Sequence, residues 1–324
     1  MRRQRAIPLP QPGTCARYGG GPYYRLLLDP GGVAVSGETI TRGVLESLEH
    51  RCVAVRLEVL DEVDVAGSGH FGPAFSIVEL LVALYYNFLR LRPSEPRWPG
   101  RDRFILSKGH ACSALYPILA DLGFFSRAEL ATFTRLGSIL GDHPDMKKIP
   151  GIDFSSGSLG HGLSIGAGMA EALRLQGRTS RVVVMLGDGE LDEGQVWEAV
   201  AYAAHRHLTR LIAIVDVNGV SVDGTTKEVL ELEPLGEKWE SFGWRVWRID
   251  GHDLTAIVRT LNEIGEYGEA GDRPCVLLAD TVPSRGISFL EGMAEWHVGF
   301  LAGEDRARAE VDIRAIHHVK TDGQ

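Results

Sequence analysis

The fold follows most directly from the segment RVVVMLGDGELDEGQVWEAVAYAAHRHLTRLIAIVDVNGV, residues 181–220. It contains two short apolar runs rich in branched residues, at 182–186 and 211–215, with a segment of helical periodicity between them. Apolar runs that do not alternate with polar residues are typical of parallel strands buried on both faces. The stretch therefore predicts a strand–helix–strand unit with parallel strands.

Further elements extend this unit in both directions along the chain. The pattern predicts strands at 103–107, 244–249 and 275–282, helices at about 38–65, 75–91, 160–177 and 253–267, and a loop at 140–157. Strands that alternate with helices in this way are typical of sheets covered on both sides. We therefore expect an α/β fold, a doubly wound, mostly parallel sheet with helices on both faces.

Composition limits the function classes. The 324 residues include 34 basic and 43 acidic side chains, which gives a formal charge of −9, and 44% of the residues are hydrophobic. An acidic balance without a long basic run argues against nucleic acid or an anionic membrane as partner. Four scattered cysteines without CxxC spacing indicate neither a disulfide framework nor a zinc site. We expect a cytoplasmic globular protein.

Domain organisation is predicted to be simple. Residues 1–36 are rich in proline and glycine and show little periodicity, so we interpret them as an N-terminal arm. Residues 37–324 are predicted to form one domain. No stretch approaches the roughly 20 apolar residues that a membrane helix needs.

Polar residues follow the two central strands at the point where each one ends. Asp188 comes directly after the first apolar run and its glycine, and Asn218 follows the second run. Ligands bind at the carboxyl ends of strands in open parallel sheets. A carboxylate and an amide oxygen there could hold Mg²⁺ or Ca²⁺. The flanking glycines, Gly187 and Gly189, would allow a phosphate to approach closely.

The sequence around this pair resembles the transketolase family of thiamine diphosphate enzymes. Seven segments match family motifs in family order: AGSGHFGPAFSIVELLVALYY (66–86), LSKGHACSALYPILADLGFF (106–125), GDHP (141–144), SSGSLGHGLSIGAGMA (155–170), MLGDGELDEGQVWEA (185–199), DVNGVSVDG (216–224) and TVPSRGISFLEGMAEWH (281–297). The similarity runs from about residue 40 to about residue 300. It covers the half that binds the cofactor diphosphate, the thiamine-diphosphate-binding fold, so the chain resembles the N-terminal subunit of a split transketolase.

The resemblance implies a cofactor and a partner. The cofactor would be thiamine diphosphate with Mg²⁺ or Ca²⁺. A separate C-terminal subunit would carry the pyrimidine-binding domain and the glutamate that activates the cofactor, in an α₂β₂ assembly that is active only when both subunits are present. The reaction would transfer a two-carbon ketol unit from a ketose or ketose phosphate to an aldose, so the substrates would be small sugars.

The resemblance also implies roles for individual residues. Asp188 and Asn218 would bind the metal through their side chains and Val220 through its carbonyl, while Gly187 and Gly189 would contact the diphosphate. The remaining cofactor contacts would come from Gly157 and Leu159 at the aminopyrimidine, from Val222 near the rings, and from His110.

Four of the eleven histidines fall within family motifs, namely His70, His110, His143 and His297. Ketol transfer moves protons on and off sugar hydroxyls, and an imidazole titrates near neutral pH, so clustered histidines suit this chemistry. We expect these four to be catalytic. The other histidines, including His252, are interpreted as structural or solvated.

Other functions remain open at this point. The closest are another thiamine diphosphate enzyme subunit, either decarboxylating or a specialised acyl or ketol transferase of secondary metabolism, and a non-catalytic assembly subunit. A nucleotide-binding oxidoreductase fits poorly, because no GxGxxG sequence opens a helix after an early strand.

Overall fold

The computed structural model describes residues 41–316, so the predicted arm at 1–36 lies outside the described residues. In chain order, the strands are β1 (Arg103–Leu106), β2 (Val182–Gly187), β3 (Leu211–Val217), β4 (Val220–Ser221), β5 (Gly224–Thr225), β6 (Arg245–Asp250) and β7 (Cys275–Asp280). The α-helices are α1 (Arg42–Ala66), α2 (Phe71–Phe75), α3 (Val78–Ala83), α4 (Tyr116–Asp121), α5 (His161–Leu175), α6 (Gly194–His205), α7 (Thr226–Val229), α8 (Leu235–Ser241), α9 (Leu254–Ala270) and α10 (Gly303–Ala315).

The central sheet has five parallel strands in the order β1-β2-β3-β7-β6. All five correspond to strands predicted from the sequence, with ends that differ by one or two residues. The register pairs Gly187 of β2 with Asp216 of β3, and Val217 of β3 with Asp280 of β7. The carboxyl ends of the three central strands therefore lie at one edge, which is where the polar residues follow them.

Helices cover both faces of the sheet, because alternate strand residues belong to two separate cores. In β2, Val183 and Met185 lie in the core that α1, α3, α4 and α9 complete. Val182 and Val184 lie in the other core, with α5, α6 and α8. The predicted doubly wound α/β fold is confirmed. The apolar runs of β2 and β3 show no alternation because both faces of these two strands are buried.

The helix predicted over 75–91 is interrupted. A break at Ser76 separates α2 from α3, and α3 continues into a single π turn at Leu84–Phe88. The Ser76 hydroxyl donates to the Pro73 carbonyl at 3.2 Å and to the Asp216 carboxylate at 2.7 Å. Such local side-chain bonds compete with helical hydrogen bonding. Periodicity could not reveal this, because Asp216 lies 140 positions away in the sequence.

Within residues 41–316, none of the helices combines the length and the apolar character that crossing a membrane requires.

Candidate functional site

The two side chains predicted to bind the metal lie side by side at the carboxyl edge of the sheet. Asp188 follows β2 and Asn218 follows β3. The Gly219 N–H donates to Asp188 Oδ2 at 2.7 Å, so the carboxylate lies against the turn that carries Asn218. The Gly189 N–H donates to Asp188 Oδ1 at 2.9 Å. The structure therefore brings together the carboxylate and the amide that the strand ends predicted.

Beneath this pair, the fully buried carboxylate of Asp216 joins segments that are distant in the sequence. Lys108 Nζ and Thr281 Oγ1 donate to it, as do Ser76 Oγ at 2.7 Å and Asn218 Nδ2 at 2.8 Å. Burial opposes ionisation of Asp216, but Lys108 outweighs burial and holds its pKa below the usual range. The floor of the site is thus a satisfied buried ion pair.

The orientation of the Asn218 amide follows from this floor. Its Nδ2 donates to Asp216, so Oδ1 is the acceptor atom, and it accepts the Val220 N–H at 3.0 Å. The amide oxygen has a second lone pair and belongs to the hard-oxygen class that Mg²⁺ and Ca²⁺ prefer.

Asp188 has the electrostatics of a cation ligand. Burial raises its pKa to about 7, the neighbouring Asp216 adds to this rise, and the two backbone N–H groups oppose it. Across residues 41–316, no lysine or arginine side chain bonds to Asp188. A buried carboxylate without a bonded cation is costly to ionise, and a divalent cation would offset that cost.

The donor set that the sequence predicted fits this chemistry. It consists of one carboxylate, one amide and one carbonyl, and so contains a single acidic side chain. Over the described part of the chain, no group of three or more His, Cys, Asp or Glu side chains is arranged to hold a metal ion.

Glu190 braces the loop that follows β2. Its Oε1 accepts the Ser107 hydroxyl and the Gly160 N–H, the latter at 2.9 Å, and its Oε2 accepts the Gly187 N–H at 3.2 Å. The carboxylate is almost fully buried, and burial raises its pKa. Glu190 thus joins the ends of β1 and β2 to the loop that carries Leu159.

A short hairpin, formed by β4 and β5, follows Asn218 directly. Val220 begins this hairpin and is buried, whereas Val222 at its tip is 73% exposed. A Cβ at Gly189 would lie 3.3 Å from Ser221 Cβ, a tight contact. Glycine therefore lets the loop after β2 approach the hairpin closely.

The four histidines predicted from the motifs lie together. The ring centroids of His70 and His110 are 5.2 Å apart, and those of His110 and His297 are 5.4 Å apart. His70 lies 5.9 Å from His297 and 6.5 Å from His143 by the same measure. We call these four residues the histidine cluster. Its members come from four segments that are far apart in the sequence, and His110 lies in a short 3-10 helix at Gly109–Ala114.

Three members of the histidine cluster resist protonation. Burial lowers the pKa of His110 to about 2 and that of His297 to about 4, and the positive charge of Lys108 is the second contribution in both cases. Burial also lowers the pKa of His143. These imidazoles are therefore neutral at physiological pH, where each ring has one nitrogen that donates and one that accepts.

His70 offers a free polar atom at the centre of the cluster. Its Nδ1 is buried and has no hydrogen-bond partner among the described residues. Asp142 Oδ1 lies 3.6 Å from this atom, beyond hydrogen-bond distance. Gly157 lies beside the cluster, since a Cβ there would be 3.7 Å from the His143 ring. Leu159 is half-buried.

Three sets of contacts near the site were not predicted from the sequence: the Lys108–Asp216 ion pair, the hydrogen bonds of Glu190, and those of His252. Lys108 and Asp216 both lie inside the motifs that were quoted, each as a charged residue beside an apolar strand. Their pairing was not readable, because 108 positions separate them. His252 was interpreted as structural or solvated, and its side chain is largely buried and hydrogen-bonded.

Known proteins resemble this sequence. The transketolase thiamine diphosphate binding domain family matches residues 48–313. The chain is 42% identical over 250 residues to SqwG, a 6-deoxy-6-sulfo-D-fructose transketolase subunit of Clostridium sp. (strain MSTE9), covering 77% of this chain and 90% of that protein. It is 38% identical over 269 residues to one of the apulose-4-phosphate transketolase subunits of Phocaeicola vulgatus. This match covers 83% of this chain and 94% of that protein.

The fold is shared as well. The structure is similar to transketolase from Campylobacter jejuni with a TM-score of 0.77 and 29% sequence identity, covering 82% of this chain. This chain spans only 42% of the length of that structure. The family match at 48–313 contains Asp188, Asn218 and the whole histidine cluster. The chain belongs to the transketolase family, in which it matches the thiamine diphosphate-binding domain.

Proposed function

We propose that this chain is the diphosphate-binding subunit of a two-subunit transketolase, which transfers a two-carbon ketol unit from a ketose to an aldose. The observation that carries the proposal is a contrast in coverage. The chain spans 90% and 94% of two relatives that are named transketolase subunits, but 42% of the Campylobacter transketolase. The pyrimidine-binding domain and the glutamate that activates the cofactor are then assigned to a separate C-terminal subunit.

The metal would be Mg²⁺ or Ca²⁺, held by Asp188, Asn218 and the Val220 carbonyl. The support is the buried carboxylate of Asp188, which lacks a bonded cation and lies against the Asn218 turn. Gly187 and Gly189 would contact the diphosphate, where glycines leave room for an anion. When bound, thiamine diphosphate supplies the carbanion chemistry of the transfer.

Four further residues would contact the organic part of the cofactor. Gly157 and Leu159 would line the aminopyrimidine, and His110 would contact the cofactor from the end of β1. Val222 would pack near the rings, and its exposed position at the hairpin tip leaves its side chain free for such a contact.

The histidine cluster would hold the sugar and move its protons. Neutral imidazoles can accept a proton from one hydroxyl and donate to another, which a permanently charged ring could not do. The free Nδ1 of His70 offers a hydrogen bond to a donor hydroxyl or carbonyl oxygen. His110 and His143 would hold the same groups, and His297 would complete the wall.

The proposed substrates are a small ketose donor, free or phosphorylated, and an aldose acceptor. The two relatives named above differ in the sugar that their names give, a sulfonated fructose in one and a phosphorylated apulose in the other. Both names describe a transketolase, so ketol transfer is what we propose for this chain.

An exposed face supports assembly with other subunits. Four residues of α5 form a solvent-facing stripe of small and apolar side chains: Ile165, Gly168, Ala172 and Leu175. Tyr202 on the adjacent α6 is 45% exposed beside it. Exposed apolar side chains on neighbouring helices are consistent with a protein interface. We propose that it is covered in an α₂β₂ assembly in which residues 37–324 act as one domain.

The proposal is tested by capture of the partner. The full chain would be purified from its native lysate with thiamine diphosphate and Mg²⁺, and stoichiometric partners identified. We expect a partner that carries a pyrimidine-binding domain, with ketol transfer in the reconstituted mixture. A decarboxylated product would favour another thiamine diphosphate enzyme, and a cofactor-bound but inactive assembly would favour a non-catalytic subunit.

A further inference from the structure

His297 reaches the cluster on a long segment without regular strands. We call residues 281–299 the strap, which runs from the end of β7 to a bridge with the loop before His70. At its far end, the Gly69 N–H donates to the Gly299 carbonyl at 2.9 Å, and the Gly299 N–H donates back at 2.8 Å. This bridge fixes the end of the strap beside His70.

The near end of the strap is bound by His252, which follows β6. Its Nε2 accepts the Val282 N–H at 2.8 Å. Since that nitrogen is an acceptor, Nδ1 carries the proton and donates to Glu79 Oε2 at 3.0 Å. The tautomer of His252 is therefore set by one backbone group of the strap and one carboxylate of α3.

Arg56 of α1 completes the network. It is fully buried, and its Nη2 donates to Glu79 at 2.8 Å while its Nε donates to the Arg285 carbonyl at 2.9 Å. The network thus binds the strap at two points, Val282 and Arg285. Burial opposes ionisation of Glu79, but Arg56 and His252 outweigh it and hold its pKa well below the usual range.

A network of this kind is not explained by stability alone. Buried ion pairs contribute little net free energy compared with well-packed apolar side chains, but they fix geometry. Here the fixed groups are backbone atoms of an irregular segment, which need partners wherever they are buried. None of the three side chains belongs to the histidine cluster or to the Asp188–Asn218 pair.

We propose that Arg56, Glu79 and His252 are positioning residues, which hold the strap so that His297 faces His70 and His110. The catalytic part of this inference rests on the proposed function, whereas the placement of the strap does not. Arg56 and Glu79 act from helices on one face of the sheet, and His252 acts from the turn after β6. His297 is then held by contacts that are distant from it in the sequence.

Hydrogen–deuterium exchange of the full chain tests the placement without any activity. His252→Leu removes both hydrogen bonds, whereas His252→Gln keeps one donor and one acceptor. Loss of a hydrogen bond of about 1 kcal/mol predicts that the amides of Val282 and residues 284–287 exchange about fivefold faster in the Leu variant. Exchange in β2 should be unchanged, and the Gln variant should recover much of the protection. Equal strap protection in the wild type and the Leu variant would overturn the proposal.

A double-mutant cycle in the reconstituted enzyme tests the link to His297. We expect His252→Leu to lower kcat about tenfold in the wild-type background with a smaller change in KM, and to have little further effect when His297→Ala is already present. The same factor in both backgrounds would show that His252 acts independently of His297 and would overturn the link. If the mixture shows no ketol transfer, the proposed function fails, and the exchange experiment alone decides the positioning.

Discussion

The two halves of the site are built in different ways. The Asp188–Asn218 pair comes from the ends of two neighbouring strands, β2 and β3, and its geometry follows from their register. The histidine cluster comes from four separate segments of the chain, and the strap that carries His297 is held by a network from three other elements. The sheet determines the positions of Asp188 and Asn218, whereas the packing of other segments around the sheet determines the positions of the four histidines.

This difference predicts different responses to change. The backbone of the pair sits on buried strands, so substitution of a ligand should remove its chemistry and leave the fold intact. The cluster depends on loop placement, so its function should respond both to its own side chains and to distant ones. Substitutions in the two halves should therefore differ in whether they change cofactor binding or turnover.

Asp188→Ala should abolish Mg²⁺-dependent binding of thiamine diphosphate. The change removes the only carboxylate of the predicted donor set, so the loss should exceed the roughly 100-fold that loss of a metal's outer-shell partner can cost. Isothermal titration calorimetry of the reconstituted complex with and without Mg²⁺ measures it. Asp223→Ala, at the exposed hairpin tip, is the matched control and should bind normally. Retained affinity in the Asp188 variant would contradict the metal assignment.

His143→Asn should leave cofactor binding intact and lower kcat by about 100-fold, the lower end of what a positioned acid–base group contributes. Steady-state ketol transfer, together with calorimetry of the cofactor, separates the two effects. His205→Asn, on the exposed end of α6, is the matched control. If the His143 variant lost cofactor binding to the same extent as activity, the two halves would not be separable as described.

Acid should lower the free energy of unfolding through His297, a member of the histidine cluster. Burial, then Lys108, lowers its pKa to about 4, whereas a histidine in an unfolded chain titrates near about 6.5. Between these values the unfolded chain binds a proton that the folded chain does not. The free energy of unfolding therefore falls as the pH drops below about 6.5.

The variant His297→Asn has no titrating imidazole at this position, so it should lack this pH-dependent part of the free energy of unfolding. Urea denaturation at pH 6.5 and pH 5 should show that the wild type loses about 1 kcal/mol more than the variant over this range, after allowance for the partial exposure of the ring. Equal losses in the two proteins would show that His297 is not held neutral by its surroundings.

Val222→Ala should have the smallest effect. The side chain is 73% exposed, so its truncation should leave the free energy of unfolding unchanged. If the tip packs on the cofactor rings, partial loss of that apolar contact should weaken binding by about threefold. Calorimetry under the conditions used for Asp188→Ala measures it. An unchanged dissociation constant would exclude Val222 from the binding surface.

The sequence predicted most of the sheet because its strands are apolar on both sides, as in VVVML at 182–186. It also predicted that Asp188 and Asn218 meet, since both follow strands that must end at one edge. The histidine cluster was found only through the family resemblance, because nothing in the spacing of four loops fixes where they converge.

Contacts between distant segments were beyond the reach of the sequence. The hydrogen bond from Ser76, at the helix break, to Asp216 spans 140 positions, and the contact of His252 with Glu79 spans 173 positions. In each case the deciding partner is a buried polar group whose neighbours are set only by the completed fold. Local propensity and periodicity carry no information about such pairs.

Ketol transfer by the separated and mixed subunits decides whether this chain is one subunit of a two-subunit transketolase. The chain and its captured partner would be assayed alone and together, with thiamine diphosphate and Mg²⁺, for the appearance of a ketose that is two carbons longer than the aldose acceptor. We predict that neither subunit turns over alone, and that the mixture turns over only with cofactor and metal present. Turnover by the partner alone, or a mixture that binds the cofactor without transferring ketol units, would contradict the account.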